Sequence, residues 1–318
     1  MRQFTVSDAL SGEHVVKACT VNYPSLKKAD LYKALKHKDI RIDGKRVSSD
    51  VKVVSGQQVQ VWLPDDLFEQ DHDELKQRRK DAFSIVAQTD GLLIVNKRQG
   101  LAVHSGKTTE DNLIDIVREE TRNKNAELVH RIDMNTGGIL MIAKNKDYLE
   151  DAVKLFKGDL VTKRYRALVV GRIPGDLGEP VVCTDDALMN EVSAYLEKTK
   201  SGDVYVHDVK KEGDLPITTR YRVLSYANGL SDIECELVTG RTHQIRAQFA
   251  HMGYPVLGDG NYGRNQVNLG FVNKDGGKIR YQQLWSTTLL FGKIPSDNKH
   301  RELSGRKFSI EPRYEVKI

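Results

Sequence analysis

The chain has 318 residues, of which 39% are hydrophobic and 29% charged, and it carries a formal net charge of +5. That is the balance of a globular protein, long enough for one large domain and one small one. It holds no run of about 18 apolar residues to span a membrane. Its three cysteines, Cys19, Cys183 and Cys235, are too dispersed for a disulfide framework or a cysteine zinc site. A net +5 does not by itself indicate nucleic acid. The N-terminal stretch MRQFTVSDALSGEH has no apolar signal core, so a cytoplasmic location is expected.

The basic excess is concentrated early. Between Ser11 and Leu63 stand ten Lys and Arg against five Asp and Glu, a net +5 equal to that of the whole chain. Apolar spacing predicts an amphipathic helix over Ala29–His37, with Leu31, Ala34 and Leu35 on one face and Lys33, Lys36 and Lys38 elsewhere. Ile40–Ile42, containing Arg41, alternates as a strand. Asp43-Gly44 is a hairpin turn followed by Lys45 and Arg46. Val51 to Leu63 reads as further short strands around Ser55-Gly56. Pro64 to Asp81 is nearly all polar and mixed in charge, the composition of a linker with at most a helical turn at its end. The expected boundaries are 1–64 for a small domain, 65–82 for a linker and 83–318 for a larger domain.

In the larger domain, Ile85–Gln88 and Leu92–Asn96 pair around Thr89-Asp90-Gly91. Asn112–Glu120 and Tyr148–Phe156 read as helices. Strands follow over Arg164–Val170, Val192–Leu196, Val204–Val209, Ile217–Ala227 and Asp232–Leu237, with turns at Pro174-Gly175, Ser201-Gly202 and Asn228-Gly229. Thr242–His251 is a helix by the spacing of Ile245, Phe249 and Met252. Strands followed by a few segregated helices predict an α+β fold with a mostly antiparallel mixed sheet flanked by helices.

The stretch Val129–Lys144, VHRIDMNTGGILMIAK, stands apart. A short apolar approach enters a polar turn, and a buried-type strand leaves it. Asp133 sits between Arg131 and a Thr-Gly-Gly corner whose glycines permit positive φ or close backbone approach. Such an acid can cap its own turn or serve as a reactive group on a rigid scaffold, and both readings stand at this point. Elsewhere, GDGNYG (Gly258–Gly263) satisfies G-x-G-x-x-G, but it follows a helix instead of opening one, so it is rejected as a dinucleotide fingerprint. There is no G-x-S-x-G elbow or phosphate loop. His243 and His251 lie eight apart without metalloprotease spacing, and no metal site is expected.

HRIDMNTGG resembles the HRLDxxTSG signature of the RluA-type pseudouridine synthases. LLIVNKRQGLAVHSG (92–106), TKRYRALVVG (162–171) and LVTGRTHQIRAQFAHMGYPVLGDGNYG (237–263) resemble three further motifs of that family, in the family's order. KHKDIRIDGKRV carries a second resemblance, to the S-four-type RNA-binding module. Together they imply an enzyme that converts uridine to pseudouridine in structured RNA without cofactor or metal. Ribosomal RNA of the large subunit is the favoured target and transfer RNA the alternative. A non-catalytic RNA-binding or ribosome-assembly protein is the rival class. No membrane partner is expected, and the chain is expected to act as a monomer.

The resemblance implies roles for particular residues. Asp133 reacts at the sugar, as nucleophile or as proton acceptor. Arg246 pairs with it; burial alone would disfavour an ionised carboxylate, and a guanidinium restores it. The uridine is flipped out of its stack. Arg131 fills the gap and Tyr165 stacks on the base. Ile245, His130 and Thr136 contribute to the pocket. Lys33, Lys36, Lys38, Arg41, Lys45 and Arg46 bind RNA in the basic module. The chain departs from the family pattern at Gly137, where Ser is frequent, at Ile132, where Leu is frequent, and at Leu284–Ser286, LWS in place of LHA. The last departure is expected to alter the pocket wall.

Overall fold

The computed structural model describes residues 1–26, 28–68, 79–104, 111–183, 185–199 and 204–317. They form two compact units, Met1–Asp81 and Ala82–Ile318.

The first unit contains β1 (Arg2–Thr5), α1 (Val15–Asn22), α2 (Lys28–His37), β2 (Ile40–Ile42), β3 (Lys45–Val47), β4 (Gln58–Val61) and α3 (Asp65–Phe68). The sheet is antiparallel in the order β1-β4-β2-β3. Period-two alternation turns Ile40, Ile42, Val59 and Val61 inward against Val15, Leu31 and Leu35 of the two longer helices. Asp43 and Gly44 both have positive φ (50° and 77°), the geometry a two-residue hairpin requires. The segment before Ser55-Gly56 forms only a single bridge, Lys52 to His14, where a strand was expected. The expected linker also begins too early. Phe68 is 9% exposed and packs edge-on against Tyr23 at 5.1 Å, so Asp65–Phe68 belongs to the first core. One buried aromatic is enough to draw that polar stretch into the fold. Residues 69–78 of the expected linker lie outside the described residues.

The second unit contains β5 (Phe83–Gln88), β6 (Leu92–Lys97), α4 (Leu113–Glu120), β7 (Glu127–Leu128), β8 (Gly137–Ala143), α5 (Lys146–Lys157), β9 (Val161–Val170), β10 (Glu179–Val182), β11 (Leu188–Lys198), β12 (Val204–His207), β13 (Leu215–Ala227), β14 (Leu230–Leu237), α6 (Gln244–His251), α7 (Asn265–Asn268), β15 (Leu284–Phe291) and β16 (Lys307–Ser309). The main path of its sheet runs β10-β11-β13-β14-β9-β15-β8-β6-β5. Among the described strand pairs only β15–β8 is parallel, so the architecture is α+β with a mostly antiparallel mixed sheet. Helices α4 and α6 cover one face through Leu113, Val117, Ile245 and Phe249. Helix α5 covers the other through Ala152 and Leu155. All seven residues of β8 are therefore buried, as a strand enclosed on both faces must be. Among the described residues no helix is long and apolar enough to cross a membrane.

Strand β10 was not expected from the sequence. It is a short, mostly exposed edge strand containing Pro180, which edges tolerate. The predicted turn at Ser201-Gly202 lies outside the described residues. The placement of β15 decides the site. It comes from near the end of the chain and inserts between β8 and β9, aligning Gly138, Ser286 and Tyr165 in one row across three strands.

Candidate active site

The Thr-Gly-Gly corner has a specific steric origin. Gly138 has φ 114°, and a Cβ there would lie 2.1 Å from the Ser286 carbonyl oxygen. A Cβ on Gly137 would lie 2.7 Å from the Trp285 ring. Only two successive glycines let this loop enter β8 so close to β15. Gly137 and Trp285, two of the departures from the family pattern, thus share one space, the indole taking room that a side chain at 137 would need. Trp285 packs with Leu168, Leu257 and Tyr314, while its neighbour Leu284 lines the cleft. The expected change in the pocket wall is therefore corrected: alternation along β15 places Trp285 away from the pocket.

The loop carrying Asp133 is pinned from below by β6. Lys97 is completely buried, and its Nζ donates to the carbonyl oxygens of Arg98, Leu101 and Met134 at 2.9, 2.8 and 3.0 Å. Burial first and the Arg98 charge second push its pKa down to about 7, against an upward pull from Asp133. Gln99 donates to Asn135 O at 3.0 Å and to Gln282 O at 2.6 Å. Gln282 in turn donates to Thr136 Oγ1 at 2.7 Å. Thr136 is 2% exposed at the edge of the cleft, and its hydroxyl secures the loop.

Asp133 Oδ2 accepts from Arg246 at 2.8 Å. The same guanidinium binds Asp259 in a fork, Nε to Oδ2 at 2.6 Å and an Nη to Oδ1 at 3.1 Å. Asp259 is fully buried, and its Oδ1 also accepts the backbone N–H groups of Asn261 and Tyr262. Burial would raise this carboxyl, but the Arg246 hydrogen bond and charge outweigh it and hold the pKa low. Arg246 is thereby locked with one N–H face left for Asp133. Sequence reasoning missed Asp259, although it stands in the quoted GDGNYG; an acid inside a glycine-rich turn was the available signal.

His243 precedes α6 with φ 56°, in left-handed conformation, which delays the predicted helix start from Thr242 to Gln244. Its Nε2 lies 3.8 Å from Asp133 Oδ2, and its Nδ1 is 2.9 Å from the Tyr262 hydroxyl. Tyr165, 6% exposed, rises from β9. Burial and then the charge of Asp133 push its hydroxyl well above the usual range, so it stays neutral.

Asp133, Tyr165, His243 and Arg246 line a cleft of about 710 Å³. Ile245, Leu237 and Leu284 supply apolar wall, and Arg131, Lys163, Lys198 and Arg241 supply cations. Asp133, Arg246, Tyr165, Arg131, His130, Thr136 and Ile245 all come to this one cleft. The six basic residues expected to bind RNA lie in the first unit.

His130 lines the cleft with one ring nitrogen engaged inside the loop. Its Nε2 accepts the Met141 amide at 3.1 Å and its ring lies against Phe156, so that nitrogen closes the loop and is not free for a substrate. Burial, then the Lys163 charge, push its pKa down to about 3, against an upward effect of the Arg131 backbone. The unfolded chain binds this proton from about pH 6.5 downward. His130's contribution to stability is therefore complete above about 6.5 and is lost as pH falls toward about 3. His130→Gln keeps an acceptor for the amide and should flatten the fall in unfolding free energy between pH 6 and 4 by about one proton, ~1.4 kcal/mol per pH unit. Urea titrations across that range measure it; an unchanged slope would show that the folded ring is not neutral.

The family model described as RNA pseudouridylate synthase matches residues 91–251. That span contains Asp133, Tyr165 and Arg246. The chain is 30% identical over 266 residues to ribosomal large subunit pseudouridine synthase C of Vibrio cholerae, covering 81% of this chain and 79% of that protein. It is 33% identical over 260 residues to the protein of the same name from Rickettsia conorii, covering 77% and 80%. Among solved structures it is similar to human RNA pseudouridylate synthase domain containing 1, with a TM-score of 0.52 and 25% identity over 69% of this chain and 81% of that one. The family match covers half of the chain and both partners of the Asp133–Arg246 contact, and the chain belongs to the RNA pseudouridylate synthase family as an RNA pseudouridine synthase.

Proposed function

We propose that the protein isomerises particular uridines of large-subunit ribosomal RNA, as a cytoplasmic monomer, with Asp133 as the reacting carboxylate. The contact between Asp133 and a locked Arg246 inside the cleft carries the reading of the chemistry. The names of the Vibrio and Rickettsia relatives support the choice of RNA.

The reaction breaks the bond from the ribose anomeric carbon to the ring nitrogen, turns the uracil and rejoins it through ring carbon 5. A carboxylate must face the sugar and an apolar wall must hold the free base. Asp133 supplies the first, and Tyr165, Ile245 and Leu284 supply the second. The target must leave its stack to reach them. Arg131 is exposed beside the cleft, where its planar guanidinium can occupy the vacated place and reach phosphates. Lys163, Lys198 and Arg241 suit the flanking backbone. Pseudouridine mapping in ribosomal and transfer RNA from cells with and without the gene tests the assignment. Loss of sites from transfer RNA alone would overturn the choice of target.

The first unit reads as an S-four-type RNA anchor. Lys33, Lys36, Lys38, Lys45 and Arg46 are exposed on it. Because Phe68 belongs to its core and the units divide after Asp81, removal of residues 1–81 is a cleaner cut than removal of 1–64. Without the first unit, the slope of log affinity against log salt should become shallower by about one for each phosphate no longer bound, while single-turnover rates at saturating RNA change little. An unchanged salt slope would show that the RNA anchor lies elsewhere.

A further inference from the structure

The four strands of the first unit, RQFT, IRI, KRV and QVQV, contain no acidic residue. Their inward faces are covered by α1 and α2, and their outward faces are open. Alternation and register put Arg41 directly opposite Arg46 on one side and Gln60 on the other, with Gln3 beyond. Two guanidiniums facing each other across strands repel. Among the described residues neither has a carboxylate in salt-bridge range, and the Arg41 Nε is buried without a hydrogen-bond partner. Of the two acids that flank β2, Asp39 and Asp43, the second is engaged by the Gln58 amide and the Gln57 side chain at 2.8 and 3.0 Å.

Trp62 completes this face. It directly follows β4, and its amide donates to Asp39 O at 2.8 Å, which fixes the backbone. Its side chain is 45% exposed, and the Arg41 guanidinium lies 5.1 Å from the ring centroid. An exposed indole stacked with an arginine, on an open sheet whose strands carry no acid and whose β2 is flanked by Asp39 and Asp43, matches the chemistry of an unpaired nucleotide: a flat base for the ring and a phosphate for the guanidiniums.

We propose that the open sheet face of the first unit is a platform for a single unpaired nucleotide of the RNA substrate, with the base stacking on Trp62 and its phosphate bound between Arg41 and Arg46. This rests on the reading of the unit as an RNA anchor and adds where, and by what contact, it holds RNA. Phosphate contacts alone would not distinguish loops from duplex, whereas a stacking residue does.

The full-length protein tests it. Trp62 is one of two tryptophans, and the other, Trp285, is 4% exposed. Titration with an unstructured RNA hexamer should quench the exposed indole's emission, and a fully paired RNA duplex of equal charge should quench it much less. Trp62→Ala should weaken hexamer affinity about fivefold or more, the lower end of what losing one base stack does. Trp62→Phe should recover most of it, and duplex affinity should be unchanged in both variants. A Lys33→Gln, Lys36→Gln, Lys38→Gln variant separates the two readings. If it weakens RNA binding and Trp62→Ala does not, the platform is overturned and the anchor stands. If neither changes affinity, the anchor reading fails as well. A change in sedimentation on Trp62→Ala with RNA affinity intact would assign the face to a second copy of the chain and overturn the platform.

Discussion

Asp133→Asn is expected to leave no detectable pseudouridine while RNA binding is largely retained. The substitution keeps the size of the side chain and the loop tethers from Lys97, Gln99 and Thr136, none of which bonds the carboxylate itself. It removes the charge that meets Arg246 at 2.8 Å and the oxygen that would act at the anomeric carbon. Whether the carboxylate serves as nucleophile or as proton acceptor, an amide replaces it poorly in either task. Single-turnover assays on a defined RNA, with binding followed in parallel, measure both halves. Turnover within about tenfold of the parent would remove Asp133 from the chemistry. Loss of binding together with turnover would show that the residue holds the loop.

Arg246 should give the largest combined loss of activity and stability. Its guanidinium bridges Asp133, whose side chain is 27% exposed, and Asp259, which is fully buried. Arg246→Ala strands the Asp259 carboxylate with only the backbone amides of Asn261 and Tyr262. Leaving one member of a buried pair unpaired costs about 3–5 kcal/mol. For a unit of this size that lowers the melting temperature on the order of 10 °C. Arg246→Lys keeps the charge but cannot hold both carboxylates in one planar fork, so the Asp133 contact loosens. A misplacement of that kind costs about a hundredfold in turnover. Arg246→Ala combined with Asp259→Asn separates the two effects. Thermal denaturation should recover most of the lost stability, because the stranded charge is gone, while activity stays low. A fully active Arg246→Ala variant would disprove the pairing's role.

Both experiments probe residues whose roles the family resemblance implied: Asp133, Tyr165 and Arg246 stand in short motifs similar to that family's, and local spacing alone leaves each with an ordinary structural reading. The amphipathic pattern of α2 and the Asp43-Gly44 hairpin were readable from local spacing, because neighbours in sequence set helix and turn geometry. The mostly antiparallel character of the second sheet followed from a run of strands with a few segregated helices, whereas β7, β10, β15 and β16 were not read from the sequence.

The tertiary structure decided what depends on residues distant in the chain. Asp259 gains its meaning only when its turn folds beneath Arg246, 13 positions earlier, and leaves the guanidinium aimed at Asp133, a further 113 positions earlier. His130 and Thr136 both line the cleft, and only the fold shows that the Met141 amide bonds the His130 ring and Gln282 the Thr136 hydroxyl. Gly137 and Trp285 read as unrelated departures until β15 inserts beside β8 and puts them in one space. Phe68 looked like a linker residue and is held in the first core by Tyr23. Sequence periodicity determined which faces are apolar, and the family resemblance marked where the chemistry-bearing motifs lie. Strand order and close packing determined which polar atoms stay free for RNA, because a buried donor or acceptor must find a partner wherever the fold provides one.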